Sequence, residues 1–439
     1  MKKLLVVLSF LGLLSVANAQ YADAGFGYWG NQQANSLMGG VGFTKIDDQT
    51  YFSIGFRPEL SLGKFGVGLN INLLYNTETG AIRAKDWDNG YDYLRLLRYL
   101  RYGRKFDPFY ARVGTLDASR IGHGFIVNYY TNEANYDERK IGLELDLDFG
   151  HFGFESIASN VGRSELIGVR GYYRPLYSFK IPLLKNLAFG ATYTRDLDPD
   201  VWSNSDDGVS VAGVDVELPI IKTKVFNTML YADWAQISGY SSLENKSRSF
   251  GSGTAVGISA GVGNLLGLLE VQARLERRWL GDEFLPSFFD PFYELQRYQV
   301  FGTDNYHKTD LLIGLKKTQG TFGELYGNLL GNKVRLLGML SKLDDQSSGN
   351  LHLAADATEA IPVIAAHATY DKLGITKAED VFTLDNHSVA RVGLGYKIKP
   401  YLVLYMDYIW TFVETETGSR IYKPQERIEP KVAFVYSFD

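Results

Sequence analysis

Hydrophobic and polar residues alternate with a period of two along most of the chain. The alternation is clear in residues 65–73 (FGVGLNINL), 187–194 (LAFGATYT), 269–278 (LEVQARLERR) and 402–412 (LVLYMDYIWTF). Strict alternation predicts β-strands that present one apolar and one polar face. Many of these runs reach about 9 to 12 residues, which is longer than a usual strand and matches a tilted crossing of a bilayer.

Short turns alternate with long polar segments between the predicted strands. Tight turns are predicted at Gly63-Lys64, Gly150-His151, Gly263-Asn264, Gly331-Asn332 and Lys399-Pro400. Long loops are predicted at residues 76–92, 117–136, 197–207, 239–249, 281–308, 370–387 and 414–427. This rhythm is typical of outer-membrane barrels, whose periplasmic turns are short and whose external loops are long. The count comes to about 20 strands, with 18 and 22 both tenable, because such barrels have even numbers.

One segment departs from the alternation. In residues 93–103 (YLRLLRYLRYG) the leucines share one face of a helix and the arginines share the other. We expect a strand at the end of this run, and a helical turn before it is an open alternative.

Bare carboxylates alternate with aliphatic residues in residues 140–156, KIGLELDLDFGHFGFES. In a soluble sandwich the apolar face of such a strand would meet a second sheet. A closed barrel in a membrane instead places the apolar face against lipid and the polar face in the lumen, and it leaves no unpaired edge. We therefore predict an all-β fold, a single closed antiparallel transmembrane β-barrel over residues 49–439.

The first 19 residues have the pattern of a secretory signal peptide. Lys2 and Lys3 precede an apolar run of about 13 residues, which is too short to span a bilayer, and Ala17-Asn18-Ala19 forms a cleavage site. Residues 20–48 follow, as either a first strand or a plug inside the barrel.

Composition excludes several classes of protein. The chain has no cysteine, which excludes a disulfide scaffold and thiol chemistry. The formal charge is −5, and −7 without Lys2 and Lys3, so a basic nucleic-acid-binding surface is not expected. None of the usual catalytic or phosphate-binding motifs is present, and the six histidines are scattered. We expect neither an enzyme nor a bound cofactor or metal.

The last strand resembles the C-terminal signature of Gram-negative outer-membrane barrels. In KVAFVYSFD the residues Phe434, Tyr436 and Phe438 lie on one face, although Asp439 follows the terminal aromatic residue. The resemblance implies export to the outer membrane, outer-membrane lipid as surroundings and the barrel-insertion machinery as a partner. The runs FSIGFRPELSLGKFGVGLNINLLYN, RYGRKFDPFYARVG and GHGFIVNYY resemble an uncharacterised porin-like family, which implies location and fold but no activity.

Charged residues on the polar faces are the candidate lumen lining. By the alternation, the predicted set is Glu144, Asp146, Asp148, Arg170, Arg174, Asp215, Glu217, Glu270, Arg274, Glu276, Arg278, Asp356, Arg391, Lys397 and Asp407. One interpretation is a cross-strand network that stiffens the interior. The other is a transverse field that filters solutes in a water-filled pore.

Two loops are unusual in composition. Residues 122–130 (GHGFIVNYY) follow an early strand and either cover the rim or fold inward as a constriction, for which the candidates are Gly122, His123, Gly124, Asn128, Tyr129 and Tyr130. Residues 284–301 (FLPSFFDPFYELQRYQVF) are the most aromatic stretch and either pack on themselves or offer an apolar surface.

The first functional hypothesis is a porin-like channel for passive diffusion of small hydrophilic solutes. The alternatives are a FadL-like transporter of hydrophobic ligands with an N-terminal plug, and a non-transporting barrel that serves as an anchor or as a component of a secretion or surface complex. The sequence leaves the oligomeric state open.

Overall fold

The computed structural model describes most of the chain from residue 35 onward. The described residues are 35–46, 49–87, 93, 96–132, 140–163, 165–179, 181, 183–200, 207–223, 225–301, 304–331, 333–344, 349–377, 379, 381, 383–385, 388–414 and 422–438. The predicted signal peptide lies outside them.

Extended segments account for nearly all of the regular structure. The strands are β1 (Asn35–Ile46), β2 (Gln49–Leu62), β3 (Phe65–Leu69), β4 (Ile71–Asn76), β5 (Leu97–Tyr102), β6 (Phe109–Gly114), β7 (Asp117–Ser119), β8 (Tyr130–Thr131), β9 (Gly142–Asp148), β10 (Phe152–Ala158), β11 (Leu166–Tyr173), β12 (Ala188–Asp196), β13 (Val209–Lys222), β14 (Phe226–Ser241), β15 (Lys246–Leu265), β16 (Leu269–Leu280), β17 (Tyr298–Phe301), β18 (Asp304–His307), β19 (Thr318–Leu329), β20 (Val334–Leu343), β21 (Gly349–Asp356), β22 (Ile364–Ile375), β23 (Ser388–Lys399), β24 (Leu402–Glu414) and β25 (Tyr422–Phe438). The helical segments that the structure describes in full are one α-helical turn, Tyr293–Gln296, and the 3₁₀ turns Ala84–Asp86, Leu184–Asn186 and Lys308–Leu312. Among the described residues, no helix has both the length and the apolar character that a membrane span requires.

The sheet closes on itself as an antiparallel barrel. Each barrel strand pairs with the next one along the chain, and β1 pairs with β25 to complete the circle. β3 and β4 both pair with β2 and together occupy one position, interrupted at Asn70, so the barrel has 20 strands. The predicted fold class and strand number are confirmed. β7, β8, β17 and β18 form two small hairpins outside this sheet.

The first and last described strands, β1 and β25, meet at a tightly packed seam. Asn35 pairs with Phe438 and Gly39 with Phe434. A Cβ atom at Gly39 would lie 2.4 Å from a ring carbon of Phe434, so a larger residue does not fit there. The Phe434 ring crosses this glycine to approach the ring of Phe56, with 6.2 Å between centroids. The described part of the N-terminal segment, residues 35–46, is therefore a barrel strand.

The outer surface is apolar, as the alternation predicts. Outward-facing side chains that remain exposed include Val169, Val214, Trp234, Val256, Leu275, Leu325, Leu394 and Leu404. In a closed barrel every backbone group of the wall is paired, so this surface meets the conditions for contact with lipid.

Two predicted connections are wrong. Residues 239–249 are not a long loop: β14 continues to Ser241, residues 242–245 form a tight turn, and β15 begins at Lys246. Gly263-Asn264 is not a turn either, because β15 runs on to Leu265 and the chain reverses at residues 266–268. A contact at the outer end of the β14–β15 hairpin explains its length. Ser241 donates a hydrogen bond to Asp310 at 2.7 Å, so β14 extends to support the loop that follows β16.

Candidate functional site

The lumen is partly filled by residues 115–132, the first part of the connection between β6 and β9, which we call the first inward loop. His123, Asn128, Tyr129 and Tyr130, four of the predicted constriction residues, are all buried. Gly122 and Gly124 have positive φ angles of 54° and 82°, a backbone conformation in which glycine is favoured. The loop lies inside the barrel and contacts wall strands far from its own.

Glu324 on β19 is the point where this loop meets the far wall. Its carboxylate accepts hydrogen bonds from Arg120 at 2.8 and 2.9 Å, from the Tyr129 hydroxyl at 2.7 Å and from Arg274 at 2.6 Å. The side chain of Glu324 is 1% exposed. Two arginines and one carboxylate are thus held together where little water reaches them. Arg120 and Glu324 were not among the predicted site residues.

His123 forms a second attachment to the wall. Its ring stacks on Tyr231 with 4.1 Å between centroids, and its Nδ1 lies 2.9 Å from Asp233. Its Nε2 lies 3.3 Å from a carboxylate oxygen of Glu217. The neighbouring Gly122 amide donates to Glu155 at 2.8 Å. The tip of the loop therefore contacts β10, β13 and β14 together.

A second inward loop, residues 281–317 between β16 and β19, packs on the first. Val127 and Phe289 form a parallel β-bridge. The Phe289 amide donates to the Ile126 carbonyl at 3.1 Å, and the Ser287 amide donates to the Phe125 carbonyl at 2.7 Å. The two segments behave as one structural unit.

The aromatic stretch of the second loop packs on itself and on the wall. The shared core contains Leu116, Ile121, Phe125, Ile126, Val127, Tyr130, Ile157, Leu166, Val209, Val211, Ala235, Ile237, Phe250, Ala255, Leu280, Phe284, Phe288, Phe289, Tyr293 and Leu312. Phe289 and Tyr293 meet edge to face, with centroids 4.7 Å apart. This side of the barrel holds an apolar core inside the wall, which is unusual for a surface that alternation marks as polar.

Glycines of the wall make room for this core. A Cβ atom at Gly213 would lie 2.8 Å from Ile126, and one at Gly253 would lie 2.3 Å from the ring of Phe284. Large side chains of the loops thus sit where the wall has no side chain. The inward position of the loops therefore depends both on the large side chains of the loops and on the glycines of the wall.

A cluster of ionic groups fastens the loops at the external end. Lys140 contacts Glu165 and lies 2.6 Å from Glu294, while Arg297 lies 2.7 Å from Glu165 and 3.0 Å from Asp196. We call this group the external latch. Burial raises the pKa of Glu165 and of Glu294, but the charges of Lys140 and Arg297 outweigh it, so the pKa of both carboxyls is lowered overall. Glu165 and Glu294 are thus held in their charged form.

The predicted lumen charges of β9 to β13 lie inside and are paired. Arg170 donates to Asp215 at 2.6 and 2.9 Å, to Glu155 at 2.6 Å and to Glu217 at 3.2 Å. The other described partners are Lys105 for Glu144 and Asp146, and Arg174 for Asp148. Sequence reasoning missed Lys105 and Glu155, of which the second lies on the polar parity of β10.

The predicted charges of β16 and of the later strands are also inside. Glu276 contacts both Arg274, at 3.2 Å, and Arg278, at 2.5 Å. Glu270 lies opposite Asn328 in the register of β16 and β19. The remaining contacts are Arg391 with Asp407 at 2.6 Å, Arg335 with Asp356 at 3.6 Å, and Lys397 with the Ile361 carbonyl at 3.0 Å.

Exposure divides the lumen into two sectors. From β6 to β19 most of the inward charges are buried, although the side chains of Asp148 and Glu155 are 35% and 21% exposed, and we call this the filled sector. From β20 to β23, and on β2 and β5, several inward charges are partly exposed, whereas Lys397 and Arg101 are buried, and we call this the open sector. Its side-chain exposures are 32% for Arg335, 23% for Asp356, 22% for His352, 25% for Arg391, 23% for Arg98 and 22% for Glu59.

One group in the filled sector has the composition of a metal site. His123, Asp215 and Glu217 offer ligand atoms within 4.8 Å of one another. However, Arg170 already binds both oxygens of Asp215 and one of Glu217. The arginine supplies the counter-charge that a metal ion would bring, so we interpret the group as part of the loop attachment.

No family model and no curated protein sequence matches the chain. Solved structures are similar at low identity. The siderophore receptor PirA from Acinetobacter baumannii is 10% identical, over 92% of this chain and 80% of that chain, with a TM-score of 0.38. Wzi from Escherichia coli, described as a carbohydrate-binding β-barrel, is 12% identical over 93% and 85% of the two chains, with a TM-score of 0.34. OccK11 (OpdR) from Pseudomonas aeruginosa is 10% identical over 92% and 96%, with a TM-score of 0.32.

None of these similarities carries a ligand or an activity over to this chain. The topology stands on its own: an even number of antiparallel strands, nearest-neighbour pairing, full closure and an apolar outer face. The chain has the fold of the outer-membrane β-barrels of Gram-negative bacteria.

Proposed function

We propose that this protein is a porin-like channel through which small hydrophilic solutes diffuse along the open sector of its lumen. The observation that carries the proposal is the difference between the two sectors. On one side the inward loops cover most of the charged groups of the wall, and on the other several charged side chains are about a quarter exposed. Water beside charged groups is the environment that a polar solute needs to cross a membrane.

The inward loops would set the width of this channel. They are fixed to the wall by buried ion pairs at Glu324 and by an apolar core, so they are not free to swing with thermal motion alone. A loop fastened in this way acts as a fixed constriction. The predicted width is therefore constant at neutral pH, and it changes only when an attachment is broken.

The surroundings of the loops favour a hydrophilic over a hydrophobic solute. The large aromatic side chains of the second inward loop are buried in the shared core, as Phe284, Phe288 and Phe289 illustrate with exposures of 3%, 1% and 0%. These buried rings form no exposed apolar groove for a hydrophobic ligand. The described lumen surface that keeps contact with water is built from arginines, carboxylates and histidine, which supports passage of polar molecules.

Planar-bilayer recording on the purified, refolded barrel tests the proposal. We expect stepwise insertions, each with a stable ohmic conductance that rises with salt concentration. Folding is established first, by the difference in gel migration between unheated and heated barrels or by circular dichroism. A folded barrel that inserts but does not conduct, and that stays closed when Glu324 is replaced to release the loop, would refute a channel function.

A further inference from the structure

Three aspartates lie together at the two ends of the connection between β12 and β13. Asp198 and Asp200 follow the end of β12 at alternate positions, and Asp207 precedes β13. Carboxylate oxygens of the three residues lie within 4.8 Å of one another. This group belongs neither to the lumen wall nor to the attachments of the first inward loop.

Asp207 is the member that points to a missing ligand. Its side chain is 3% exposed, and Oδ2 lies 2.6 Å from Nε2 of His307. Its other oxygen, Oδ1, is buried and has no hydrogen-bond partner. A buried carboxylate oxygen without a partner costs free energy, and further carboxylates nearby increase that cost. A cation among these oxygens would remove both penalties.

Arg297 lies beside this group but binds other acids. It forms ion pairs with Glu165, Asp196 and Glu294, and it donates a hydrogen bond to the backbone carbonyl of Asp198. His307 contacts only the other oxygen of Asp207: its Nε2 lies 2.6 Å from Oδ2, and its Nδ1 contacts the Ser242 hydroxyl.

The negative potential of the cluster reaches its surroundings. Tyr298 begins the short strand β17 in the second inward loop. Burial raises the pKa of its hydroxyl first, and the charges of Asp200 and Asp207 raise it further. The field of these carboxylates thus extends to the neighbouring loop.

We propose that Asp198, Asp200 and Asp207 bind a divalent cation of the hard, oxygen-preferring type, Ca²⁺. Three carboxylates are the ligands that such an ion prefers, and water completes its shell. Two Ca–O bonds of about 2.4 Å span the separation of these oxygens. Because Asp207 is also bonded to His307, the ion would tie the β12–β13 loop to the second inward loop. The site does not depend on whether the barrel conducts.

Calorimetric titration of Ca²⁺ into the full-length, EDTA-treated barrel in a non-ionic detergent tests the site. We expect one saturable site with a Kd of about 10⁻⁴ to 10⁻³ M, as in other extracellular calcium modules. Asp200→Asn should weaken binding at least tenfold. Asp344→Asn is the matched control, because Asp344 is also an external acid but pairs with Arg277. It should leave the affinity unchanged.

The site is refuted if the wild-type barrel shows no saturable uptake up to about 10 mM Ca²⁺, or if Asp200→Asn binds as tightly as the wild type. Equal affinity for Mg²⁺ would overturn the assignment to Ca²⁺, since the smaller ion demands a tighter shell. Gel migration without heating confirms that each variant is folded. Should Asp200→Asn not fold, the same comparison with Asp198→Asn decides.

Discussion

Arg120 and Glu324 lie 204 positions apart in the chain and meet inside the barrel, where one guanidinium nitrogen donates to both carboxylate oxygens at 2.8 and 2.9 Å. The pair joins the first inward loop to the opposite wall strand. Arg274 of the neighbouring strand β16 and the Tyr129 hydroxyl donate hydrogen bonds to the same carboxylate. Glu324 is therefore one of the groups that fix the position of the constriction, beside the contacts of His123 and the shared core.

Glu324→Gln should release the first inward loop. The neutral amide leaves Arg120 and Arg274 buried without their shared carboxylate, which costs about 3 to 5 kcal/mol when one partner of a buried ion pair is removed. We expect a larger single-channel conductance and a lower melting temperature. The control is Asp344→Asn, because Asp344 forms a solvent-exposed pair with Arg277 away from the lumen, and such pairs contribute little to stability. Equal conductance in the two variants would contradict the prediction.

Gly253→Ala should displace the second inward loop from the wall. The new methyl group would lie 2.3 Å from the Phe284 ring, a separation that side chains do not adopt. Overpacking of this kind costs about 1 to 3 kcal/mol. The chain has no native cysteine, so a Ser287→Cys background provides a unique thiol, and its labelling rate should rise when the loop lifts.

Gly171→Ala in the same background is the control for that experiment. Gly171 lies on β11, and a Cβ atom there would meet nothing within 4 Å. We expect its labelling rate to match that of the parent. If both alanine variants label at the same rate, the contact between Gly253 and the Phe284 ring does not hold the loop in place.

The parity of the wall could be predicted from the sequence because a strand has a period of two. Glu144 and Asp146 point inward, as the alternation requires, since a shift by one residue would place them in lipid. Their partner could not be predicted, because Lys105 reaches them from the turn that connects β5 and β6. No local pattern specifies where a long side chain of a turn will go.

The filled sector was predicted only in part. Inward folding of the first loop was one of two open interpretations, and its attachment to Glu324 depends on the distance between β6 and β19 in the closed barrel. Gly213 and Gly253 look in the sequence like any other strand glycine. Their role appears only once Ile126 and Phe284 are seated against them.

Acid should loosen the external latch. The pKa values of Glu165 and Glu294 are lowered in the folded protein, so the stability that these groups contribute is present above their ordinary pKa of about 4.3. That stability is lost as the pH falls below this value and through the lowered pKa. We expect conductance to be constant from pH 7 to about 5 and to rise or become noisy near pH 3.

Glu294→Gln separates the latch from other acid effects. The variant lacks one of the two carboxylates whose pKa is lowered, so it should be noisier than the wild type at pH 7 and change less on acidification. A wild type that conducts identically at pH 7 and pH 3, with its fold intact, would show that the latch does not control the loops.

Arg335→Glu should shift the channel towards cation selectivity. The side chain of Arg335 is 32% exposed in the open sector and lies 3.6 Å from Asp356. Replacing the arginine by glutamate turns this ion pair into two neighbouring carboxylates. Counter-ions would then gather beside the path of the solute. The measurement is the reversal potential in a tenfold KCl gradient.

Arg277→Glu makes the same charge change on the outward parity of β16, where Arg277 is 37% exposed and pairs with Asp344. At 0.1 M salt the field of an exposed charge decays over about 10 Å, so a charge on the outer face has little effect on ions in the lumen. This control should therefore leave the reversal potential near the wild-type value. Equal shifts in both variants would mean that ions do not pass along the open sector.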